Sequence, residues 1–202
     1  MKIFCVAMNY REANAEKKRL SSEPIFFLKP ETALLLKNRP FFLPDFCNNI
    51  QYELEIVVRI GKIGKCIQQK YANTYYQELT LGIDFTAKDT LDYCRKNGFP
   101  WEIAKGFDAS APIGQFLPKT QFQNLQNLNF RLLKNGQEVQ NGNTADMIFS
   151  IDEIIETVSK YYTLKMGDLL FTGTPLGVGQ VQIGDHLEAF LEDKKLLDFF
   201  VR

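Results

Sequence analysis

The sequence has a single histidine, His186, which excludes any chemistry that needs a pair of imidazoles or a histidine-rich metal centre. Its four cysteines (Cys5, Cys47, Cys66 and Cys94) lie far apart, with no Cys-x-x-Cys pair and no histidine near them. That spacing argues against zinc, and a disulfide framework is not expected in a chain of this size, so buried free thiols are expected. Neither sign of charge is in excess, with Lys plus Arg and Asp plus Glu both at 24. A nucleic-acid binder carries a basic excess or stripe, so no nucleic-acid partner is expected. No apolar run approaches the roughly 18 residues of a membrane span. The opening "MKIFCVAMNY" turns polar too soon for a leader and reads as a strand, so a cytoplasmic chain with no membrane partner is expected. Also lacking are the Gly-Lys-Ser/Thr ending of a P-loop and the Gly-x-Gly-x-x-Gly of a dinucleotide fold.

What is present is a globular composition: 202 residues, 45% apolar and 24% charged. No Ser/Gly/Pro-rich linker divides them, so residues 1–202 are expected to form one domain. "PIFFLKP" and "PFFLP" read as short strands bracketed by prolines, and "QYELEIVVRIG" as a longer one. Residues 68–78 fit a helix. "LGIDFTAKD" reads as a strand running into a helix that Thr86 caps and Gly98 stops. Asn135-Gly136 marks a hairpin. Ser150 and Glu153 form a capping box ahead of the stripe Ile151, Ile154, Ile155, Val158 and Tyr162. The balance predicts a β-rich α+β fold with a few helices rather than regular βαβ winding.

Glu53 and Glu55 are the oddity in this pattern. In a strand they share a face, and two like charges on a low-dielectric face need water or a cation to offset them. Asp84, between Ile83 and Phe85, is a third carboxylate. Three carboxylates without histidine suit an oxygen-ligated ion such as Mg²⁺, Mn²⁺ or Ca²⁺, and an exposed strand face is the plainer alternative. In "TGTP", Gly173 and Thr174 could offer backbone N–H groups and a hydroxyl to a carboxylate, or form a turn and nothing more. Lys29 and Lys105 are isolated lysines in apolar settings; either they snorkel to solvent, or they recognise an acidic substrate or relay a proton.

Taken in order, "NYREANAE", "EPIFFLKPETAL", "YELEIVV", "GIDFTAKD", "GFPWEIAKGFDASAPIG", "NGQEVQNGNTADMIFS" and "GDLLFTGTPLGVG" resemble the fumarylacetoacetate hydrolase family, from about Asn9 to Glu188. The likeness is greatest to its single-domain acylpyruvate hydrolase and oxaloacetate decarboxylase branch. The resemblance implies a mixed β-roll, a homodimer, and Mg²⁺ or Mn²⁺ on Glu53, Glu55 and Asp84. It also implies catalytic roles for Lys105, Lys29 and Glu16, and substrate contacts by Thr174, Gly173 and Lys105. The implied activity is carbon–carbon bond cleavage of a small 2-oxo acid, by acylpyruvate-type hydrolysis or oxaloacetate-type decarboxylation. The family's lid histidine falls on Ala13, although its partner glutamate is kept as Glu16, and a frequent glutamine of the following helix is Leu91. Two alternatives therefore stand beside cleavage: an isomerase or tautomerase of the 2-hydroxy-diene-dioate type, and a non-catalytic metal- and acid-binding relic.

Overall fold

The computed structural model describes residues 1–11 and 21–202. At its centre β5 (Leu54–Ile60) is buried along its whole length apart from Arg59. Successive side chains of a strand face opposite sides, so a strand apolar in both registers must be covered on both. Leu54, Ile56, Val58 and Ile60 enter the main apolar cluster, whereas Val57 joins a smaller one with Ile3, Cys5, Leu169 and Phe171. Glu55 shares the register of Val57.

β5 pairs antiparallel with β6 (Tyr76–Ile83) on one side and β12 (Leu169–Phe171) on the other. β12 runs parallel to β1 (Ile3–Ala7), and β2 (Ile25–Lys29) and β9 (Leu117–Pro118) form the edges of this six-stranded sheet. A second sheet, wholly antiparallel, contains β10 (Asn129–Lys134), β11 (Gln137–Asn143), β14 (His186–Leu191) and β15 (Lys194–Phe200) in the order β11-β10-β14-β15. Its strands β14 and β15 pack against β6. Two smaller sheets set β4 (Ile50–Tyr52) between β13 (Gly179–Gln180) and β7 (Thr86–Ala87), and β3 (Leu34–Leu35) beside β8 (Ala111–Pro112). The helices are α1 (Gln69–Ala72), α2 (Lys88–Asn97), α3 (Glu102–Lys105) and α4 (Ile151–Tyr161). This is the β-rich α+β arrangement expected, a mixed β-roll of open sheets.

Several local readings hold. Asn135 (φ 53°) and Gly136 (φ 77°) both take the left-handed conformation that a tight hairpin turn requires. Ser150 and Glu153 close the capping box of α4, which buries Ile151, Ile154, Ile155 and Val158, but Tyr162, expected in the same stripe, is the extended C-cap residue and is exposed. α2 stops at Gly98, φ 67°.

Others need correction. The helix expected over 68–78 is a single turn: Thr74 donates its hydroxyl to the Tyr71 carbonyl, and from Tyr76 the aromatic-rich chain is strand. "PFFLP" forms no strand but one isolated bridge, Phe41 to Val201, because its flanking prolines have no N–H to extend a ladder. "QYELEIVVRIG" is two strands broken at Glu53, since β4 and β5 belong to different sheets. Thr86 lies in β7 and Ala87 occupies the N-cap of α2, without a side-chain cap. All four thiols are free, but only Cys5 and Cys94 are buried; Cys47 is half-buried and Cys66 exposed. Among the described residues no helix is long and apolar enough to cross a membrane.

Candidate active site

The first residues of β5 lie beside the last residues of β6 and β12, since Leu54 pairs with Ile83 and Val57 with Phe171. Glu53 and Glu55 at the start of β5, Asp84 just past β6, and Gly173 and Thr174 just past β12 therefore arrive together. One oxygen from each of Glu53, Glu55 and Asp84 lies within 4.8 Å of the other two; Glu55 and Asp84 are buried and Glu53 half-buried. The buried triad is capable of chelating a divalent cation. Its all-oxygen donor set suits a hard divalent ion rather than a soft one.

The charges around the triad fit such an ion. Lys105 Nζ lies 3.0 Å from Glu53 Oε2 and 2.9 Å from Asp84 Oδ2, and donates to Thr86 Oγ1 at 2.5 Å. Burial would lower its pKa, but Asp84 and then Glu53 hold it above the usual lysine range. Lys29 Nζ approaches Asp84 Oδ1 to 2.7 Å. That contact is ionic without an aligned N–H, because the ammonium donates to the carbonyls of Phe85, Lys105 and Ser110 and to Ser110 Oγ. Burial would raise the Asp84 pKa, yet Lys105 and Lys29 hold it below the carboxylate range. Glu55 touches neither ammonium; its partner is the Gly173 N–H at 2.6 Å. Burial, then the charges of Asp84 and Glu53, push its pKa well above the usual glutamate value. Three carboxylates thus face two ammonium groups, and a dication would turn this deficit into a net positive site suited to an acidic substrate.

A stability prediction follows for the metal-free protein. A carboxyl whose folded pKa is raised stabilises the fold below its unfolded pKa and loses that contribution as pH climbs through the folded value. The melting temperature of chelator-treated protein is therefore expected to fall as pH rises above about 4.3, through Glu55. Glu55→Gln should flatten that decline and raise the neutral-pH melting temperature by several degrees. Calorimetry across this pH range checks both; an unchanged slope in the variant would remove Glu55 as the cause.

Gly173 holds the triad through its N–H to Glu55 and does not line the cavity, whereas Thr174 lines it. Gly173 has φ +95°, and a Cβ there would stand 2.8 Å from Asn9 Cβ, so its place requires glycine. Thr174 Oγ1 donates to the Leu54 carbonyl at 2.8 Å and accepts from Gln140 Nε2 at 2.9 Å, while Gln140 Oε1 accepts from Leu54 N–H. Two contributors were missed in the sequence. Thr86, read as a helix cap, donates to Glu53 Oε1 at 2.8 Å and so links Lys105 to Glu53. Gln140 reaches in from the second sheet, and nothing in its local sequence marks it.

A cavity of about 530 Å³ opens onto the cluster, lined by Glu53, Asp84, Lys105 and Thr174 with Phe27, Leu91 and Trp101. Lys29 and Glu55 sit behind this surface rather than on it. Glu16 and Ala13 lie outside the described residues. A second group, His186, Glu188 and Asp198, is a surface ion-pair network already served by Lys195, at 3.0 Å from Glu188 and 2.6 Å from Asp198.

Comparison with known proteins gives a consistent picture. The profile of the family described as fumarylacetoacetate (FAA) hydrolase C-terminal matches residues 2–198. The mitochondrial oxaloacetate tautomerase of Mus musculus is 40% identical over 201 residues, covering 99% of this chain and 91% of that protein. The mitochondrial oxaloacetate decarboxylase of Dictyostelium discoideum is 38% identical over 189 residues, covering 93% of this chain and 87% of that one. The crystal structure of fumarylpyruvate hydrolase from Pseudomonas aeruginosa, in complex with Mn²⁺ and pyruvate, superposes with a TM-score of 0.90 at 31% identity, covering 100% of this chain and 90% of that one.

Proposed function

Because the chain belongs to the fumarylacetoacetate hydrolase family, we propose that it acts on a small 2-oxo acid, oxaloacetate being the first to test, and interconverts its keto and enol forms. The observation that carries this reading is the triad of Glu53, Glu55 and Asp84 with Lys105 at the wall of one cavity. The three carboxylates would hold Mg²⁺ or Mn²⁺, which as a Lewis acid favours charge on a substrate keto oxygen. Lys105, kept protonated by Asp84 and Glu53, balances negative charge on that oxygen by its charge, and would donate to it by giving up one of its three acceptors Glu53, Asp84 and Thr86. The loop of Gly173 and Thr174 bounds the place of the substrate carboxylate. Glu16 is the proposed base that takes the proton from the carbon next to the keto group.

Tautomerisation moves one proton from carbon to oxygen and needs no attacking water. Ala13 in place of a water-activating histidine therefore harms it less than it harms hydrolysis, where a lost general base typically costs on the order of 10²–10⁴ in rate. The tautomerase of Mus musculus supports this order of preference. Carbon–carbon cleavage is the second reading, supported by the Dictyostelium decarboxylase and the Pseudomonas hydrolase. The chain is an enzyme of its family, so the reading as a non-catalytic relic is set aside. One catalytic domain over residues 1–202, assembled as a homodimer, belongs to the same proposal; strands from both ends of the chain share the main apolar cluster.

The test follows the ultraviolet absorbance of enol-oxaloacetate with purified protein, Mg²⁺ or Mn²⁺, and a chelated control. Accelerated, metal-dependent decay of the enol without pyruvate is expected. Pyruvate release in its place would move the assignment to decarboxylation. Cleavage of acetylpyruvate alone would move it to hydrolysis.

A further inference from the structure

The cavity wall carries two cations at opposite ends of an aromatic surface. Lys105 Nζ lies 5.1 Å from the centroid of the Phe27 ring. Phe27 meets Trp101 edge-on, with centroids 6.2 Å apart. The Arg95 guanidinium lies 5.0 Å from the Trp101 ring. All four residues line the same cavity. At one end Lys105 is engaged by Glu53 and Asp84. At the other, Arg95 has no carboxylate partner among the described residues, although Lys88 and Arg11, also on the cavity, are paired with Asp92 and Asp146.

Helix α2 explains the spacing. Lys88, Leu91 and Arg95 stand at i, i+3 and i+7, on one helical face, and all three line the cavity. The helix begins two residues after Thr86, which is hydrogen-bonded to Glu53, and runs outward at 1.5 Å per residue. The Arg95 backbone is thus about 10 Å farther along than that of Lys88. Between the ends lie Leu91 and the two aromatic rings, a surface with no charge to satisfy. A ring face holds a guanidinium by cation–π attraction and leaves its N–H fork free for a carboxylate.

We infer that Arg95 reads a second carboxylate. The site then favours 2-oxo diacids whose acid groups are separated by a spacer of several carbons over 2-oxo monoacids of equal length. Oxaloacetate, with one methylene between its keto carbon and second carboxylate, engages only the inner end. This specificity role rests on the proposed reading that the 2-oxo end sits at Lys105 and the carboxylate triad.

Trp101 is the only tryptophan in the chain, so its fluorescence reports binding beside Arg95 without turnover. The probes are 2-oxoadipate and 2-oxohexanoate, of equal chain length, titrated in Mg²⁺ with calorimetry as a second readout. The wild type is expected to bind the diacid about tenfold more tightly, the value of one charge-assisted pair at a solvent-accessible site. Arg95→Met should bring the two affinities together while leaving that for 2-oxohexanoate unchanged, and Arg95→Lys should restore part of the difference. A preference that persists in Arg95→Met, or is absent in the wild type, overturns the inference and leaves the 2-oxo-acid reading standing. Failure of the wild type to bind either probe overturns both.

Discussion

Glu53→Ala is expected to abolish divalent-cation binding and turnover together, with the rate falling on the order of 10³-fold or more as Lewis-acid stabilisation worth several kcal/mol is lost. The choice among the three carboxylates matters. Glu55 and Asp84 are buried and entangled with the fold, whereas Glu53 is half-buried at the break between β4 and β5. Its removal takes one acceptor from Thr86 and one from Lys105, and Lys105 keeps Asp84. The variant should therefore fold. A ligand that binds only the native state stabilises it by about 2.7 kcal/mol at a hundred times its dissociation constant. For a chain of this length that corresponds to a rise of roughly 5–10 °C in melting temperature. The wild type should show that rise on adding Mn²⁺, and Glu53→Ala should show little of it, alongside its lost activity. Full activity in metal-free Glu53→Ala protein would remove the triad from the mechanism.

The carboxylates of this site stand out locally because a charge in a buried pattern is an anomaly, although the residues alone leave an exposed strand face open and the family resemblance is what implies a cation. Glu55 breaks the apolar run of β5, and Asp84 stands between Ile83 and Phe85. The capping box of α4 and the Asn135-Gly136 turn were legible for the same reason: each is complete within a few residues. Thr86 was misread because a threonine before a helix looks like a cap, and only its pairing with Gln51 across β7 and β4 reveals another role. Gln140 could not be found at all. It sits in β11, more than eighty residues from Leu54, and its place beside Thr174 comes from the meeting of two sheets. The aromatic wall of Phe27 and Trp101 has the same origin: β2 and the segment before α3 are distant in sequence and adjacent only in the fold.

Lys29→Met separates two roles for a lysine that the sequence leaves ambiguous. If Lys29 transfers protons, its loss should be kinetic, with turnover falling and the melting temperature unmoved. The geometry favours the opposite outcome. The Lys29 side chain is fully buried, its ammonium held by three backbone carbonyls, by Ser110 Oγ and by the charge of Asp84. Methionine fills much the same volume but takes one donor from each of those acceptors, of which the Ser110 and Lys105 carbonyls keep another (the Phe85 N–H and the Ser110 hydroxyl), and it leaves Asp84 with Lys105 as its remaining cation. Breaking a buried pair in this way typically costs about 3–5 kcal/mol, a large share of the roughly 5–15 kcal/mol that keeps a domain folded. A drop of about 10 °C in melting temperature is expected from metal-free protein. Mn²⁺ should recover part of it, because a cation at the triad supplies Asp84 with the positive charge the variant lacks. The comparison therefore needs both melting curves, with and without metal. A stable, inactive Lys29→Met protein would return Lys29 to the catalytic group; a destabilised one rescued by Mn²⁺ would make it the fixed counter-charge that holds Asp84 ready for the ion.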